Sequence, residues 1–226
     1  MTATDEQIIS IKNATPMDMS SILQVEQSWP ENGRAGADKF ISRLARFPQG
    51  FFLATVTDPA DAGVQIAAAT ITAMPLVYQS DDVRDFDNWN AVTQHGYLPE
   101  TAPAACNALY IVSGVIDSRY RGLNIFAPMV LRETVLAQSL GLRYVVAGAV
   151  LPGYRKFCEQ YGEINAYDYC ATRRGKHLVD PLLAMYEAIG FSVPDAQHVI
   201  PEYYPDDASR NFAALVVRDL QRTPYV

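Results

Sequence analysis

Short apolar runs, broken by glycine and proline, divide the chain into a series of strands and helices. Residues 7–12, Q-I-I-S-I-K, carry the alternation of a strand. After the turn Thr15-Pro16, Met19, Ile22, Leu23 and Val25 recur at helical spacing over 18–27. Phe40, Ile41, Leu44 and Phe47 repeat that spacing over 36–47, and Pro48-Gln49-Gly50 stops it. Residues 50–57 and 64–73 favour strands, and the loop at 58–63 makes them an antiparallel pair. From 74 to 106 the pattern dissolves. A connection that long in a compact domain is expected to be functional, here as a cover over substrate.

The run at 108–116, A-L-Y-I-V-S-G-V-I, is almost wholly apolar, as a strand buried on both faces would be. A turn at 117–122 leads to a helix over 124–140, with Ile125, Met129, Leu131, Val135 and Leu136 expected inside and Gly141 as its stop. A second buried strand follows at 143–150, so the order strand, helix, strand predicts a right-handed crossover and a parallel pair. Residues 151–161 read as helix and 165–177 as polar and irregular. Asp180-Pro181 then opens a helix through Leu182, Leu183, Met185 and Ile189, closed by Gly190. Strands are expected at 191–200 and 211–217, around the turn Tyr204-Pro205-Asp206-Asp207. With no repeat and no linker, 1–226 reads as a single α/β (α+β) domain.

Composition narrows the function. Hydrophobic residues at 49% and charged ones at 19% describe a globule with a large core and argue against disorder. A net charge of −7 argues against a general nucleic-acid binder. No apolar run reaches the ~20 residues of a membrane span, and the N-terminus lacks a basic, apolar leader, so a cytoplasmic location is expected. Cys106, Cys158 and Cys170 form no C-x-x-C pair and read as buried thiols. His95, His177 and His198 have no metal-ligand spacing, so no metal is expected.

The chemistry concentrates at Arg119-Tyr120-Arg121-Gly122-Leu123-Asn124. A strand entering a helix through such a turn lines up backbone N–H groups at a helix N-terminus, where the macrodipole favours an anion. Gly122 has no side chain to obstruct a diphosphate, Asn124 tolerates a left-handed conformation, and Arg121 adds positive charge. A surface turn with arginines would share this pattern, so its context matters.

That context resembles the GNAT superfamily of acyl-CoA-dependent acyltransferases, whose signature is a strand, [Q/R]-x-x-G-x-[G/A] and a helix. Arg119, Gly122 and Asn124 fall on the three signature positions, Asn124 departing from the usual small residue. Residues 180–191, with Tyr186-x-x-x-Gly190-Phe191, are similar to the family's later helix. The resemblance implies a mixed central sheet of about seven strands, whose parallel fourth and fifth strands splay apart to admit acyl-CoA. It implies acetyl-CoA as the simplest co-substrate, bound by Ile116, Arg119, Arg121, Gly122, Leu123, Asn124 and Ile125, with Gly148 to Val150 near the thioester. Tyr186 takes the place of the family's general acid, a role suited to a phenol of pKa near ~10. Glu202, beside Tyr203 and Tyr204, is a candidate general base, with Glu159 and Glu26 as alternatives.

The segment 180–211 also resembles a GNAT branch that includes polyketide-loading domains and domains attached to carbon–nitrogen hydrolases. Decarboxylating members have a His where Tyr186 stands and an Arg where Tyr204 stands. Without that Arg no cation is expected to meet a malonyl carboxylate, and decarboxylation is disfavoured. The expectation is therefore acyl transfer from acyl-CoA to a small-molecule amine. Alternatives are S-acyl transfer involving an acyl carrier protein docked on Arg173, Arg174 and Lys176, and a non-catalytic CoA-binding module.

Overall fold

A computed structural model describes residues 9–58 and 61–222, apart from the side chains of Asn32 and Ala62. In chain order come β1 (Ile9–Asn13), α1 (Met19–Glu26), α2 (Ala37–Arg46), β2 (Phe51–Asp58), β3 (Asp61–Leu76), α3 (Trp89–Thr93) and β4 (Ala108–Ile116). They are followed by α4 (Phe126–Ser139), β5 (Tyr144–Val150), α5 (Tyr154–Tyr161), α6 (Ala166–Ala171), β6 (Arg173–Arg174), β7 (His177–Leu178), α7 (Pro181–Ala188), β8 (Val199–Ile200) and β9 (Ala213–Asp219). Seven strands form one sheet in the order β1-β2-β3-β4-β5-β9-β8, and β6 and β7 pair separately. Among the described residues only β4 and β5 pair in parallel, joined by α4 as the strand–helix–strand order predicts.

Both faces of the sheet are covered. On one, Leu109, Ile111, Val145 and Ala147 pack with Met129 and Val130 of α4, Tyr154 of α5 and Leu183 and Tyr186 of α7. On the other, Ile22, Val25 and Phe40 of α1 and α2 cover Phe51, Leu53 and Val115. Beside them Tyr78, Phe86 and Leu98 cover Tyr110, Val112 and Leu215. This two-sided burial is why β4 and β5 are almost continuously apolar.

Several boundaries differ from the sequence reading. Gln7 and Ile8 of the first expected strand lie outside the described residues. α4 begins at Phe126 and buries Ala127, Met129, Val130, Glu133, Thr134 and Ala137, leaving Val135 exposed. Small residues let this helix approach the sheet closely, so the buried stripe does not follow its largest side chains. Glu133 lies in that stripe with neither carboxylate oxygen hydrogen-bonded among the described residues, and burial pushes its carboxyl well above the usual range. The segment after β3 is ordered: Asn88 caps α3 through the Ala91 amide at 2.8 Å, and Tyr78, Val83, Phe86 and Leu98 are buried. Its apolar residues sit singly at turns, which leaves no period to read. Within 165–177, α6 is capped by Asn165 and followed by the β6–β7 hairpin. Of the strand expected at 191–200, only Val199–Ile200 forms, with an isolated bridge from Ser192 to Val217. Pro194, between them, has no amide to donate.

Candidate active site

Pairing of β4 with β5 runs from Ala108–Tyr144 to Ile111–Ala147 and goes no further. Beyond it β4 stays with β3 and β5 stays with β9, so the two strands part towards their C-terminal ends. A register shift between Thr72 and Ala73 leaves Val112 of β4 without an opposite residue, and the Val112 carbonyl accepts a hydrogen bond from Trp89 Nε1 at 2.7 Å. The parting opens a cleft of about 310 Å3, bordered by Gly114 and Val115 on one strand and Gly148 to Val150 on the other.

One wall of the cleft carries Glu26 and Arg43, at 5% and 2% exposure. Glu26 ends α1, and its Oε1 accepts the Ala35 amide at 2.7 Å. Burial raises its carboxyl above the ordinary 4.5, opposed by that amide and by Arg43, Arg34 and Lys39. Arg43 donates from Nε to the Gly96 carbonyl at 2.9 Å and from Nη1 to Ser113 Oγ at 3.0 Å, and its guanidinium lies over the Phe40 ring. Burial lowers its pKa to about 10, with Glu26 acting in the opposite direction. No direct ion pair joins Glu26 to Arg43 among the described residues. Trp29, Trp89 and Tyr204 line the same wall, Trp29 Nε1 donating to the Tyr204 hydroxyl at 3.3 Å.

Three tyrosines meet where the strands part. Tyr186 of α7 is buried, packs edge-on against Phe126 and Phe191, and lines the cleft. Its hydroxyl makes no hydrogen bond among the described residues, and burial pushes its pKa upward. From the other face Tyr203 lies against Gly148, where a Cβ would come within 2.3 Å of its hydroxyl. The Tyr203 hydroxyl is hydrogen-bonded to that of Tyr110. Gly148 thus allows a side chain from the opposite face to reach the gap.

The turn after β4 is built differently. Asp117 accepts the Arg119 amide at 3.0 Å and the Arg119 side chain at 2.9 and 2.7 Å, and this pairing holds the Asp117 carboxyl below its usual range. Arg119 is therefore turned back onto its own strand end. Arg121 reaches the Ser28 carbonyl at 3.3 Å. Asn124 adopts φ 48°, the left-handed conformation that its identity suggests. No side chain caps α4, and the amides of Gly122, Asn124, Ile125 and Phe126 reach no carbonyl among the described residues. A Cβ on Gly122 would meet nothing within 4 Å.

Of the residues expected from sequence, Tyr186 lines the cleft, as do Gly148 to Val150. Arg119, Arg121, Gly122, Leu123, Asn124 and Ile125 share the turn, with Ile125 fully buried and Leu123 packed against the core. Ile116, the last residue of β4, lies outside the cleft lining. Glu202 is on an exposed turn at φ 52°, hydrogen-bonded by Asn211 Nδ2 at 2.9 Å, and Glu159 is an exposed residue of α5; neither lines the cleft, whereas Glu26 does. The expected want of a cation is corrected: Tyr204 stands by Trp29, but Arg43 and Lys39 of α2 border the cleft. Arg43, Trp89 and Tyr203 were missed, because Arg43 sits in an amphipathic helix and the other two in segments without a period. Of the basic group at 173–177, Arg173 pairs with Glu187 and Arg174 donates to the Tyr161 hydroxyl.

The architecture is that of the loading GNATL domain of CurA from Lyngbya majuscula, with a TM-score of 0.74 at 19% identity, covering 96% of this chain and 100% of that one. The chain has the GNAT fold. A GNAT-like decarboxylase, GphF in complex with isobutyryl-CoA, aligns with a TM-score of 0.69 at 19% identity over 93% of this chain and 99% of its own. A protein named putative phosphinothricin N-acetyltransferase gives 0.55 at 15% identity, over 94% of this chain and 99% of that one. In sequence, a Bacillus subtilis (strain 168) protein named probable hydrolase YhcX is 26% identical over 213 residues, 93% of this chain. The chain covers 38% of that relative's length. No family model matches the sequence. Among the described residues no cluster of His, Cys, Asp or Glu could hold a metal ion, and no helix is long and apolar enough to cross a membrane.

Proposed function

We propose that the chain transfers an acyl group, acetyl in the simplest case, from acyl-CoA to the amine of a small molecule, and that 1–226 acts as one cytoplasmic domain. What carries this reading is a single cleft between parted parallel strands, with the buried carboxylate of Glu26 on one wall and the unpartnered hydroxyl of Tyr186 on another. The pyrophosphate is held by the amides of Gly122, Asn124 and Ile125, with Arg119 and Arg121 adding charge and Ile116 and Leu123 shaping the turn. The parted strand end at Gly148 to Val150 faces the thioester carbonyl.

The attacking amine gives a proton to Glu26, which burial makes a stronger base than a surface carboxylate. As the nitrogen–carbon bond forms and the carbon–sulfur bond breaks, Tyr186 gives its proton to the departing thiolate, and water returns the proton from Glu26 to Tyr186. Burial keeps the phenol protonated until that step. Glu202, which sequence suggested as the base, has no place in this scheme. Thiol release from acyl-CoA with a panel of amines tests the reading, with Tyr186→Phe expected to lower kcat about a hundredfold. No release with any amine, or a Tyr186→Phe rate equal to wild type, overturns it.

A second reading, S-acyl transfer with a carrier protein, is favoured by the higher TM-scores of the CurA loading domain and GphF than of the N-acetyltransferase. Mass spectrometry of a phosphopantetheinyl carrier mixed with the protein and acyl-CoA decides it. An acylated carrier together with no acylated amine selects this second reading.

A further inference from the structure

Glu26 and Arg43 both line the cleft, and the fold leaves one polar atom of each without a hydrogen bond among the described residues. Glu26 commits Oε1 to the Ala35 amide, and Oε2 has no hydrogen bond among the described residues. Arg43 commits Nε and Nη1 to Gly96 and Ser113, and Nη2 has none. Neither atom is among the fully buried atoms that lack a partner, so each keeps some exposure, and both residues line the cleft. A pair formed only to neutralise two buried charges would close on itself, because desolvated ions gain most at contact. Here the two heads are electrostatically coupled yet make no ion pair within 4 Å among the described residues. Trp29 and Trp89 add aromatic faces that favour a cation.

We propose that the acceptor is a zwitterion, an amino acid whose ammonium group meets Glu26 while its carboxylate meets the Nη2 of Arg43. This rests on the amine-acylation reading and narrows it to one substrate class. The two contacts place the nitrogen at the group that deprotonates it and fix the rest of the molecule by its carboxylate. A bare amine leaves the buried guanidinium without a counterion, and a dicarboxylate brings a second negative charge towards Glu26.

The test compares glycine and β-alanine with glycinamide, β-alaninamide and ethylamine on the intact wild-type protein. With acetyl-CoA, kcat/KM is expected to be at least about tenfold higher for each amino acid than for its amide. Arg43→Gln should collapse that ratio towards one, and Arg43→Lys should recover part of it. Equal rates for acid and amide in the wild type overturn the zwitterion while leaving acyl transfer standing, and need no variant to fold. Calorimetric titration of the same compounds in the presence of CoA reads the site without turnover. Selective binding of the amino acids with no thiol release upholds the ion site and overturns the acyl-transfer reading, whereas neither binding nor turnover overturns both. Loss of CO2 from malonyl-CoA, abolished by Arg43→Gln, would assign the guanidinium to the acyl group and overturn the proposal.

Discussion

The turn at 117–127 and the wall that carries Glu26 and Arg43 line one fold but are put together differently. In the turn the contacts that shape the backbone are mostly local, Asp117 holding Arg119 two residues on and Leu123 closing on Tyr120, while Ser118 and Arg121 anchor it to Ser28. In the wall, Arg43 is fixed by residues 53 and 70 positions away, and Trp29 meets a tyrosine 175 positions away. A device shaped mainly by neighbouring residues keeps its geometry wherever they recur, so the anion-holding role proposed for the turn is portable. An assembled wall exists only in the complete fold, and there the identity of the acceptor can change without disturbing the turn.

The largest expected effect is in the wall. Glu26→Gln retains an acceptor oxygen for the Ala35 amide but removes the base, so kcat/KM is expected to fall about 10^2–10^4-fold. Because burial raises the Glu26 carboxyl, the wild-type rate should rise with pH through a step above 4.5 and level off once that group is ionised. The step should vanish in Glu26→Gln. A pH–rate profile of both proteins checks this, and an unchanged rate and profile would remove the wall from the chemistry.

The same contrast explains how much could be read before the structure. The parallel pair, α4 and the left-handed Asn124 were legible because strand burial, helix entry and backbone tolerance are encoded in neighbouring residues. The place of Tyr186 in the cleft was legible only through a family resemblance, since a tyrosine on a helix has no spacing that marks it. Glu26 was one of three alternatives, and nothing nearby set it above Glu202. What favours it in the proposed scheme is its burial and its bond to the Ala35 amide, which depend on how α1 and α2 cross the sheet. Arg43 gave no signal at all, because an arginine near the end of an amphipathic helix ordinarily faces water.

Next in size is Gly148→Ala, which acts where wall and strands join. The added Cβ would lie 2.3 Å from the Tyr203 hydroxyl and 2.4 Å from its ring, so that ring must move. Overpacking of this kind costs about 1–3 kcal/mol, read from the denaturation midpoint at constant slope. Activity should fall with it, since Tyr203 lines the same cleft. Gly122→Val makes the opposite case in the turn. Nothing within 4 Å resists its side chain, so stability should stay within about 0.5 kcal/mol of wild type. The affinity for CoA should fall about tenfold as the branched group screens the amides, worth about 1.4 kcal/mol. Calorimetry with free CoA measures it, and a loss of stability as large as that of Gly148→Ala would end the contrast.

The smallest effect is expected at Arg119, although its place in the motif makes it the obvious phosphate ligand. Its guanidinium is bidentate to Asp117 at 2.9 and 2.7 Å, which cancels most of its charge towards the outside, while its side chain stays half-exposed. With its charge mostly cancelled by the buried Asp117, Arg119→Ala should cost less than about fivefold in CoA affinity, about 1 kcal/mol. The loss should shrink further at high salt, because what remains of its field is screened. Arg121, which makes no ion pair within 4 Å among the described residues and donates to the Ser28 carbonyl, should give the larger loss when changed to alanine. If Arg119→Ala instead weakens CoA as much as Gly122→Val, the arginine must leave Asp117 when the diphosphate arrives. The turn would then be a charge clamp that rearranges on binding, and its row of preformed amides would matter less than its local construction implies.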